Sequence, residues 1–373
     1  MDEPKAGIDG FAGELPKLRR GFARRVPSYD RILALVAEGL DGEIGRRLGK
    51  AWARRRFDAF YERALLLLAT LRYDALSTGP DHPLWPALAA DPADPAAVTA
   101  PALDRALGRD RPRVWHSLTR RRVQTNEVSR AVAWLWPAAL AQEAGGEGRP
   151  IALCDMGCSA GLNLVADSLG LAWSEAGPLP RPLPVARRPR VVRRLGFDLA
   201  PLDAGDEEDA NWLRACIWAG ERDRSTRLER ALAAFRAARA GAAPPVIETI
   251  EARAMPDRLR DLAAGAESGG GGAVWLAYQS LVREYLGPSR EPYLDGMRHW
   301  LASMPPGRAL WIELEDPPHG ATRERPTAIL GHVRGPDGSV VDLVLGRCEY
   351  HPVEVAPEPE AVAFLRAALA APA

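Results

Sequence analysis

An acid followed by two glycines marks the first segment whose residues are suited to chemistry. Asp155 ends an apolar run, Gly157 follows two positions later, and Gly161 lies where a helical stretch at 160–169 begins. In open α/β sheets, ligands bind where parallel strands end and the chain turns into a helix. Glycine lets the backbone approach a ligand closely, and amides at a helix start attract polar or anionic atoms. The pattern predicts a nucleoside-cofactor site.

The residues inside this turn favour one class of cofactor. Ser159 stands where a dinucleotide-binding turn has its middle glycine, which leaves less room for a bulky pyrophosphate. The acid before Gly157 favours a ligand with a positively charged amino end, as S-adenosylmethionine has. At the end of the next predicted strand, Asp198 is expected to accept hydrogen bonds from ribose hydroxyls, with Asp203 as its competitor. The predicted cofactor-binding residues are Asp155, Gly157, Ser159, Gly161, Asn163 and Asp198.

Two further pairs of residues are candidates for contact with a substrate, and the sequence leaves the catalytic residues open among them. Asn126 and Glu127 lie on a predicted helix at 117–144 that leads into the first strand; they suit an amine ligand or a buried polar pair between domains. Tyr278 and Gln279 follow the fourth predicted strand, a position that faces the methyl acceptor in methyltransferase-like folds. Their alternative role is packing at the strand end.

Charge balance bounds the partners of the chain. Basic and acidic side chains number 49 each, so the net charge is zero and there is no overall attraction for nucleic acid or anionic membranes. A basic run offers contact with an anionic substrate, but its prolines and lack of aromatic residues favour a solvated loop. We expect a small-molecule substrate and no nucleic-acid partner. The run comprises Arg181, Arg187, Arg188, Arg190, Arg193 and Arg194.

Cysteine, histidine and apolar spacing bound the location and the metal content. The four cysteines include no C-x-x-C pair, and the six histidines show no H-x-x-x-H spacing, so we predict no metal site. Residues 1–20 lack the apolar core of a signal peptide, and the longest apolar run, 64–69, is too short to span a bilayer. We expect a cytoplasmic protein without a membrane segment; the oligomeric state stays unknown.

The order of the predicted elements indicates an α/β protein. The chain has 373 residues, which suggests a helical N-terminal domain at 1–145 and a Rossmann-like domain at 146–373. Strands alternating with helices predict a mostly parallel sheet. Pro336-Asp337-Gly338 predicts the turn of a terminal antiparallel hairpin. Five parallel strands followed by such a hairpin are typical of methyltransferase-type domains. The five are predicted at 151–156, 191–198, 246–250, 273–278 and 309–314.

Several strings together resemble a bacterial family known as domain of unknown function 2332. The resemblance runs from about residue 15 to 365, and its most specific part is G-x-S-A-G-L-N-L. It implies a methyltransferase-like fold behind a helical N-terminal region. The strings are Q-T-N-E-V-S-R-A at 124–131, D-M-G-C-S-A-G-L-N-L at 155–164, L-G-F-D-L-A-P-L-D at 195–203, W-L-R-A-C-I-W at 212–218, A-Y-Q-S-L-V-R-E-Y-L at 277–286 and C-E-Y-H-P at 348–352.

One departure from the family bears on function. The resemblance implies Gly-Asp-Ala after the third strand, where methyltransferases hold the adenine amino group with an acid. Here Arg253 stands in place of the acid, and Glu251 lies two positions earlier. The main expectation is S-adenosylmethionine-dependent methyl transfer. The alternatives are a non-catalytic binding or regulatory module with the same fold, which Arg253 favours, and an enzyme that uses another nucleotide cofactor.

Overall fold

The computed structural model describes residues 5–57, 59–145, 149–186, 189–267 and 272–370. The chain forms two compact units. The first contains Met1–Thr125 and Asp206–Thr226, and the second contains Asn126–Gly205 and Arg227–Ala373. The division predicted after residue 145 assigns residues 126–145 to the N-terminal domain, but they lie in the second unit. It assigns residues 206–226 to the C-terminal domain, but they lie in the first unit. The predicted boundary stays a prediction.

The N-terminal 125 residues are mainly helical. Helix α4 is buried along most of its length and packs against the first, fifth and seventh helices. This follows from its run of leucine and alanine, which leaves no polar face. Two short strands pair antiparallel. The elements are β1 (Lys5–Ala6), α1 (Phe11–Phe22), α2 (Pro27–Glu38), α3 (Glu43–Trp52), β2 (Arg56–Phe57), α4 (Glu62–Thr78), α5 (Trp85–Leu88), α6 (Ala100–Ala106) and α7 (Pro112–Arg120).

The rest of the chain alternates strands and helices. The predicted strands and hairpin are present, each within one or two residues of its predicted ends. In chain order the elements are α8 (Val132–Gly145), β3 (Ile151–Met156), β4 (Ser174–Glu175), β5 (Arg181–Pro182), β6 (Val191–Asp198), α9 (Glu207–Cys216), α10 (Arg222–Ala238), β7 (Pro245–Thr249), α11 (Met255–Glu267), β8 (Val274–Ser280), α12 (Arg290–Ser303), β9 (Ala309–Glu315), β10 (Thr327–Arg334), β11 (Val340–Cys348), β12 (Glu354–Pro357) and α13 (Pro359–Ala370).

Ten strands form one mixed sheet in the order β5-β4-β12-β11-β10-β9-β8-β3-β6-β7. Strands β7, β6, β3, β8 and β9 run parallel, as the alternating pattern predicted. Strands β10 and β11 form the predicted antiparallel hairpin, and β10 joins the edge of β9. The predicted α/β class is confirmed: N-terminal helices are followed in the chain by a mostly parallel sheet that ends in antiparallel strands.

Helices cover the sheet because the central strands are largely apolar and are buried on both faces. Every residue of β3 and β9 is buried, which a parallel sheet requires. On one face, alternate side chains of β3, β6, β8 and β9 pack with α11 and α12. Helices α8 and α13 also pack against strands of this sheet. The carboxyl ends of the parallel strands therefore form one rigid edge.

The predicted helix at 117–144 is wrong in its middle. The structure has α7 up to Arg120, an extended segment, a 3₁₀ turn at Val128–Ala131 and then α8. The physical reason lies in Glu127, whose carboxylate accepts the N–H of Ser129 and so starts a new turn. Asn126 and Glu127 thus precede that turn, and they do not lie on a continuous helix. Within the described ranges, no helix is long and apolar enough to cross a membrane.

Candidate functional site

The strand order reverses at β3. From β3 the chain continues to β6 and β7 on one side, then returns to add β8 and β9 on the other. Such a topological switch point opens a crevice at the carboxyl ends of the strands, where open α/β sheets bind ligands. The turn after β3, the end of β6 and the loop after β8 meet there. Most of the cofactor-binding residues predicted from the sequence lie at this edge.

The turn after β3 is shaped by three residues with positive φ: Gly157 at 77°, Ser159 at 54° and Gly161 at 71°. The amide of Gly157 donates to the Phe197 carbonyl at 2.7 Å, which fastens the turn to β6. The predicted helix at 160–169 is a 3₁₀ helix, Leu162–Ser168. Because most amides of the turn donate within the protein, its side chains carry more of any ligand contact than the sequence predicted.

Asp198 lies at the end of β6, as predicted, and closes the turn. Its Oδ2 accepts the amide of Ser159 at 2.8 Å, and its Oδ1 accepts the amide of Ala200 at 2.9 Å. The side chain is half-buried. The competing acid, Asp203, is exposed and pairs with Arg239 at 3.1 Å. The structure therefore brings Asp198 to the turn, and it uses Asp203 on the surface.

Asp155 is buried beneath the turn, with 2% of its surface exposed. Its Oδ2 accepts no hydrogen bond from the described residues. Burial, and then the neighbouring charge of Asp198, raise the pKa of Asp155 well above its usual range. The fixed negative charge inferred from sequence is thus weakened, because the free carboxyl favours its neutral form.

Two amide side chains flank the same turn. The Asn163 side chain is buried, and its Oδ1 accepts no hydrogen bond from the described part of the chain. Asn126 Nδ2 donates to Ser159 Oγ at 2.7 Å. The structure therefore joins Asn126 to the predicted cofactor-binding turn, a contact that the sequence suggested only through its proposed position near the pocket mouth.

Glu127 is buried in a cluster of charged groups. Arg227 Nε donates to its Oε1 at 3.0 Å, and His351 Nδ1 lies 3.7 Å from its Oε2. Glu127 directly follows Asn126, which contacts Ser159, so the cluster borders the turn through this one residue. Arg227 gives no motif signal in the sequence, because its pairing with Glu127 spans 100 positions.

Tyr278 and Gln279 lie inside β8, which extends through Ser280, and both side chains are fully buried. Burial, and then the charge of Asp155, raise the pKa of Tyr278. Gln279 Nε2 donates to Glu315 Oε1 at 3.1 Å, while its Oε1 accepts Trp311 Nε1 at 3.3 Å and the Tyr293 hydroxyl. Gln279 is thus part of a buried network.

That network was not predicted from the sequence. Glu313 accepts His332 Nε2 at 2.6 Å and pairs with Arg283, and His332 also contacts Asp342 at 2.6 Å. Burial opposes ionisation of Glu313, but the hydrogen bonds from His332 and Arg283 lower its pKa overall. Glu315, two residues on, accepts amides of the loop after β8. Two acids in a strand that otherwise reads as apolar were the available signal.

The loop after β8 closes over the turn after β3. A Cβ placed on Gly157 would lie 2.6 Å from Val282 Cγ2, so glycine is required there for close packing. Leu281, next to Val282, has φ of 52°; it and Ser159 are the described non-glycine residues with positive φ. Both strained residues therefore border the switch-point crevice, where strain is often stored at functional sites.

The remaining sequence signals are charged groups that pair with neighbouring acids, although Arg253 follows the carboxyl end of β7 at the same edge of the sheet. Arg253, in the position of the expected adenine-binding acid, pairs with Glu251 at 2.8 Å on the surface. In the basic run, Arg194 pairs with Asp167 at 2.7 Å, and Arg187 and Arg188 lie outside the described residues. Among the residues that the structure describes, no group of three or more His, Cys, Asp or Glu is placed to hold a metal ion.

A cavity of about 570 Å³ lies in the first unit, between α4, α7 and α9. The charged groups that line it are paired: Arg113 with Asp74 at 2.9 Å, and Glu208 with Arg121 at 2.8 Å. It is an open surface cavity whose charges are already neutralised. The switch point of the second unit, where the buried carboxylate oxygen Oδ2 of Asp155 has no partner among the described residues, is the candidate site that we favour.

Comparison with known proteins identifies the family of this chain, although no curated protein or solved structure matches it. A family model described as an uncharacterized protein conserved in bacteria, DUF2332, matches residues 19–356. The match covers both the turn after β3 and the loop after β8. The chain therefore belongs to the DUF2332 family.

Proposed function

We propose that this protein binds S-adenosylmethionine at the carboxyl ends of β3, β6 and β8 and transfers its methyl group to a small molecule. The observation that carries the proposal is Asp155 Oδ2, a buried acceptor without a partner at the topological switch point. An unsatisfied buried acceptor costs about 1–3 kcal/mol, which a ligand donor would recover.

The residues around the turn fit such a cofactor. Asp155 and Asn163 each offer a buried oxygen without a partner to the amino-acid part. Asp198 uses one hydrogen bond on each oxygen, so its half-buried carboxylate retains acceptor sites for ribose hydroxyls. An ammonium group beside Asp155 would favour the charged carboxylate, so binding is expected to release a proton.

S-adenosylmethionine supplies a methyl group on a sulfonium, and transfer to a nucleophile is an in-line displacement in which positioning provides much of the acceleration. The chain's task is to hold both reactants and exclude water. Asn126 and Glu127 border the turn at Ser159, so we assign the acceptor to their side of the crevice. His351, oriented toward Glu127, lies on the same side.

The first test is titration calorimetry of the full chain with S-adenosylmethionine and S-adenosylhomocysteine. Asp198→Asn should weaken binding roughly 10- to 100-fold through the loss of charge-assisted hydrogen bonds, whereas the exposed Asp203→Asn should bind like the wild type. Repeating the titration in buffers of different ionisation enthalpy should show proton release that Asp155→Asn removes.

No heat and no thermal shift with either ligand would reject the proposal. Binding of a nicotinamide dinucleotide in their place would favour an enzyme that uses another nucleotide cofactor. Binding that Asp203→Asn weakens as much as Asp198→Asn would place the ligand elsewhere.

A second candidate is a binding module that performs no transfer. The burial of Tyr278 and Gln279 favours it, because Gln279 has both side-chain groups in internal hydrogen bonds and cannot turn to an acceptor without breaking them. S-adenosylhomocysteine binding without product in a broad acceptor screen would support this module. For either candidate we propose a cytoplasmic setting, in keeping with four cysteines that are all buried and free.

A further inference from the structure

Glu315, the last residue of β9, uses one carboxylate oxygen to hold the loop after β8. Its Oε1 accepts the amide of Val282 at 2.7 Å and the amide of Arg283 at 3.3 Å, together with Gln279 Nε2. The side chain is 3% exposed. Its partners sit 32 to 36 positions away in sequence, so the bonds join β9 to the loop by tertiary structure alone.

The loop needs such a support. Leu281 has φ of 52°, a conformation that costs a branched residue free energy and persists only when its surroundings enforce it. The Leu281 amide donates to the Leu314 carbonyl at 2.9 Å, and Glu315 holds the two amides that follow. Consecutive amides of the loop are thus fixed by the end of β9.

We infer that Glu315 is a positioning residue of the proposed site: by holding the amides of Val282 and Arg283, it fixes the loop that closes the crevice at Gly157. This inference rests on the proposed function, since it assigns a role to one wall of the same crevice. The contact between Val282 and the Gly157 turn transmits the position of Glu315 to that crevice.

The surroundings of Glu315 make its hold depend on pH. The groups that act on it are Glu313 on its own strand, Arg283 on the loop and Tyr293 on α12, and β10 brings His332 against Glu313. Helix α8, which also packs on β9, has Glu143 as its one titratable side chain among the described residues; Glu143 pairs with Arg366 at 3.0 Å at the surface.

Burial, and then the charge of Glu313, raise the pKa of Glu315 to about 7, against the hydrogen bonds from Val282, Gln279 and Arg283, which lower it. When the loop opens and water reaches the Glu315 carboxyl, the pKa of this carboxyl lies nearer its ordinary value of 4.5. The closed loop therefore binds the proton more tightly than the open one, and closure weakens as the pH rises through 7.

Hydrogen exchange of the free, full-length protein tests this inference without any ligand. Protection factors of amides 282 and 283, corrected for intrinsic exchange, should fall about 10-fold in the wild type between pH 6 and 8. Glu315→Gln keeps a carbonyl oxygen for the same amides, so its protection should stay at the pH 6 level throughout. Glu315→Ala should lose protection at both pH values. Glu291→Gln, an exposed acid on α12, should behave like the wild type.

Equal protection of these amides in the wild type and Glu315→Ala would overturn the inference, whereas wild-type protection that does not change with pH would overturn only its pH dependence. If Glu315→Ala does not fold, the comparison of the wild type with Glu315→Gln decides. S-adenosylhomocysteine titrations on the same samples separate the two proposals: protection that Glu315→Ala removes, without ligand binding, rejects the proposed function alone, whereas ligand binding with equal protection in the wild type and Glu315→Ala rejects the role of Glu315 alone.

Discussion

Asp155, the residue before the last of β3, and Glu315, the last residue of β9, lie at the same edge of the sheet and use their acceptor atoms differently. Side chains at 154 and 156 join the core under α11 and α12, so Asp155 points to the other face, whereas Glu315 shares the face of Trp311 in that core. Burial raises the pKa of both acids. Glu315 accepts three hydrogen bonds on one oxygen, while Asp155 keeps a buried oxygen without a partner.

This difference shows that burial alone does not identify a binding residue. Both acids carry the cost of desolvation, but at Glu315 that cost is offset by bonds that order the loop around Val282. At Asp155 the buried Oδ2 receives no hydrogen bond from the described residues that would offset it. A buried polar atom that the protein leaves unsatisfied calls for an explanation, and a ligand donor at the switch point is the one that we propose for Asp155.

The largest expected effect comes from neutralising these acids. A displacement of the Glu315 pKa from 4.5 to about 7 corresponds to about 3 kcal/mol. Since the raised pKa makes folding stability fall as the pH rises from 4.5 through 7, Glu315→Gln should be more stable than the wild type at pH 8 by up to that amount and similar at pH 4. Urea unfolding at both pH values measures the difference.

Asp155→Asn should shift stability in the same direction, because its pKa is also raised. If either variant is less stable than the wild type at pH 8, the view that burial raises the pKa of both acids is contradicted. If Asp155→Asn abolishes proton release on cofactor binding and Glu315→Gln does not, the two acids differ in their contact with the cofactor.

A smaller effect is expected at the contact between the two sides of the crevice. Gly157→Ala adds a Cβ at positive φ and forces it against Val282, whose branched side chain cannot swing away. Gly170→Ala has a similar φ, 60°, with no atom within 4 Å of the new Cβ. Gly157→Ala should therefore cost about 2 kcal/mol more than Gly170→Ala in urea unfolding. Equal costs would show that Val282 yields and that the loop is not packed on the turn.

The smallest effect concerns the hydrogen bond between Asn126 and Ser159. A double-mutant cycle with Asn126→Ala and Ser159→Ala should give a coupling free energy of about 1 kcal/mol, since the bond is direct and half-buried. A cycle of Asn126→Ala with Ser168→Ala is the control and should be additive within about 0.5 kcal/mol. Coupling in the control as large as in the test would mean that Asn126 acts through the turn as a whole.

Sequence reasoning succeeded where the information was local. Strand β6 begins and ends where the apolar pattern predicted, and Pro336-Asp337-Gly338 formed the expected turn. It failed at 117–144, where α7 already ends at Arg120 and the hydrogen bond from the Ser129 amide to Glu127 starts a new turn. It also missed β12 and α13 at the end of the chain, where β12 pairs with the preceding strand β11 and with β4, which is far away in sequence.

The sequence by itself determined the α/β class and the turn at Gly157, because strand periodicity, glycine and turn chemistry act over a few neighbouring residues. It also placed Asp155 and Asp198 at strand ends. Only the tertiary structure decided which of these acids keeps a free oxygen, that Val282 lies against Gly157, and that Glu315 holds the loop. The reason is physical: burial and long-range hydrogen bonds depend on which strands become neighbours, and that order is fixed only when the whole sheet has formed.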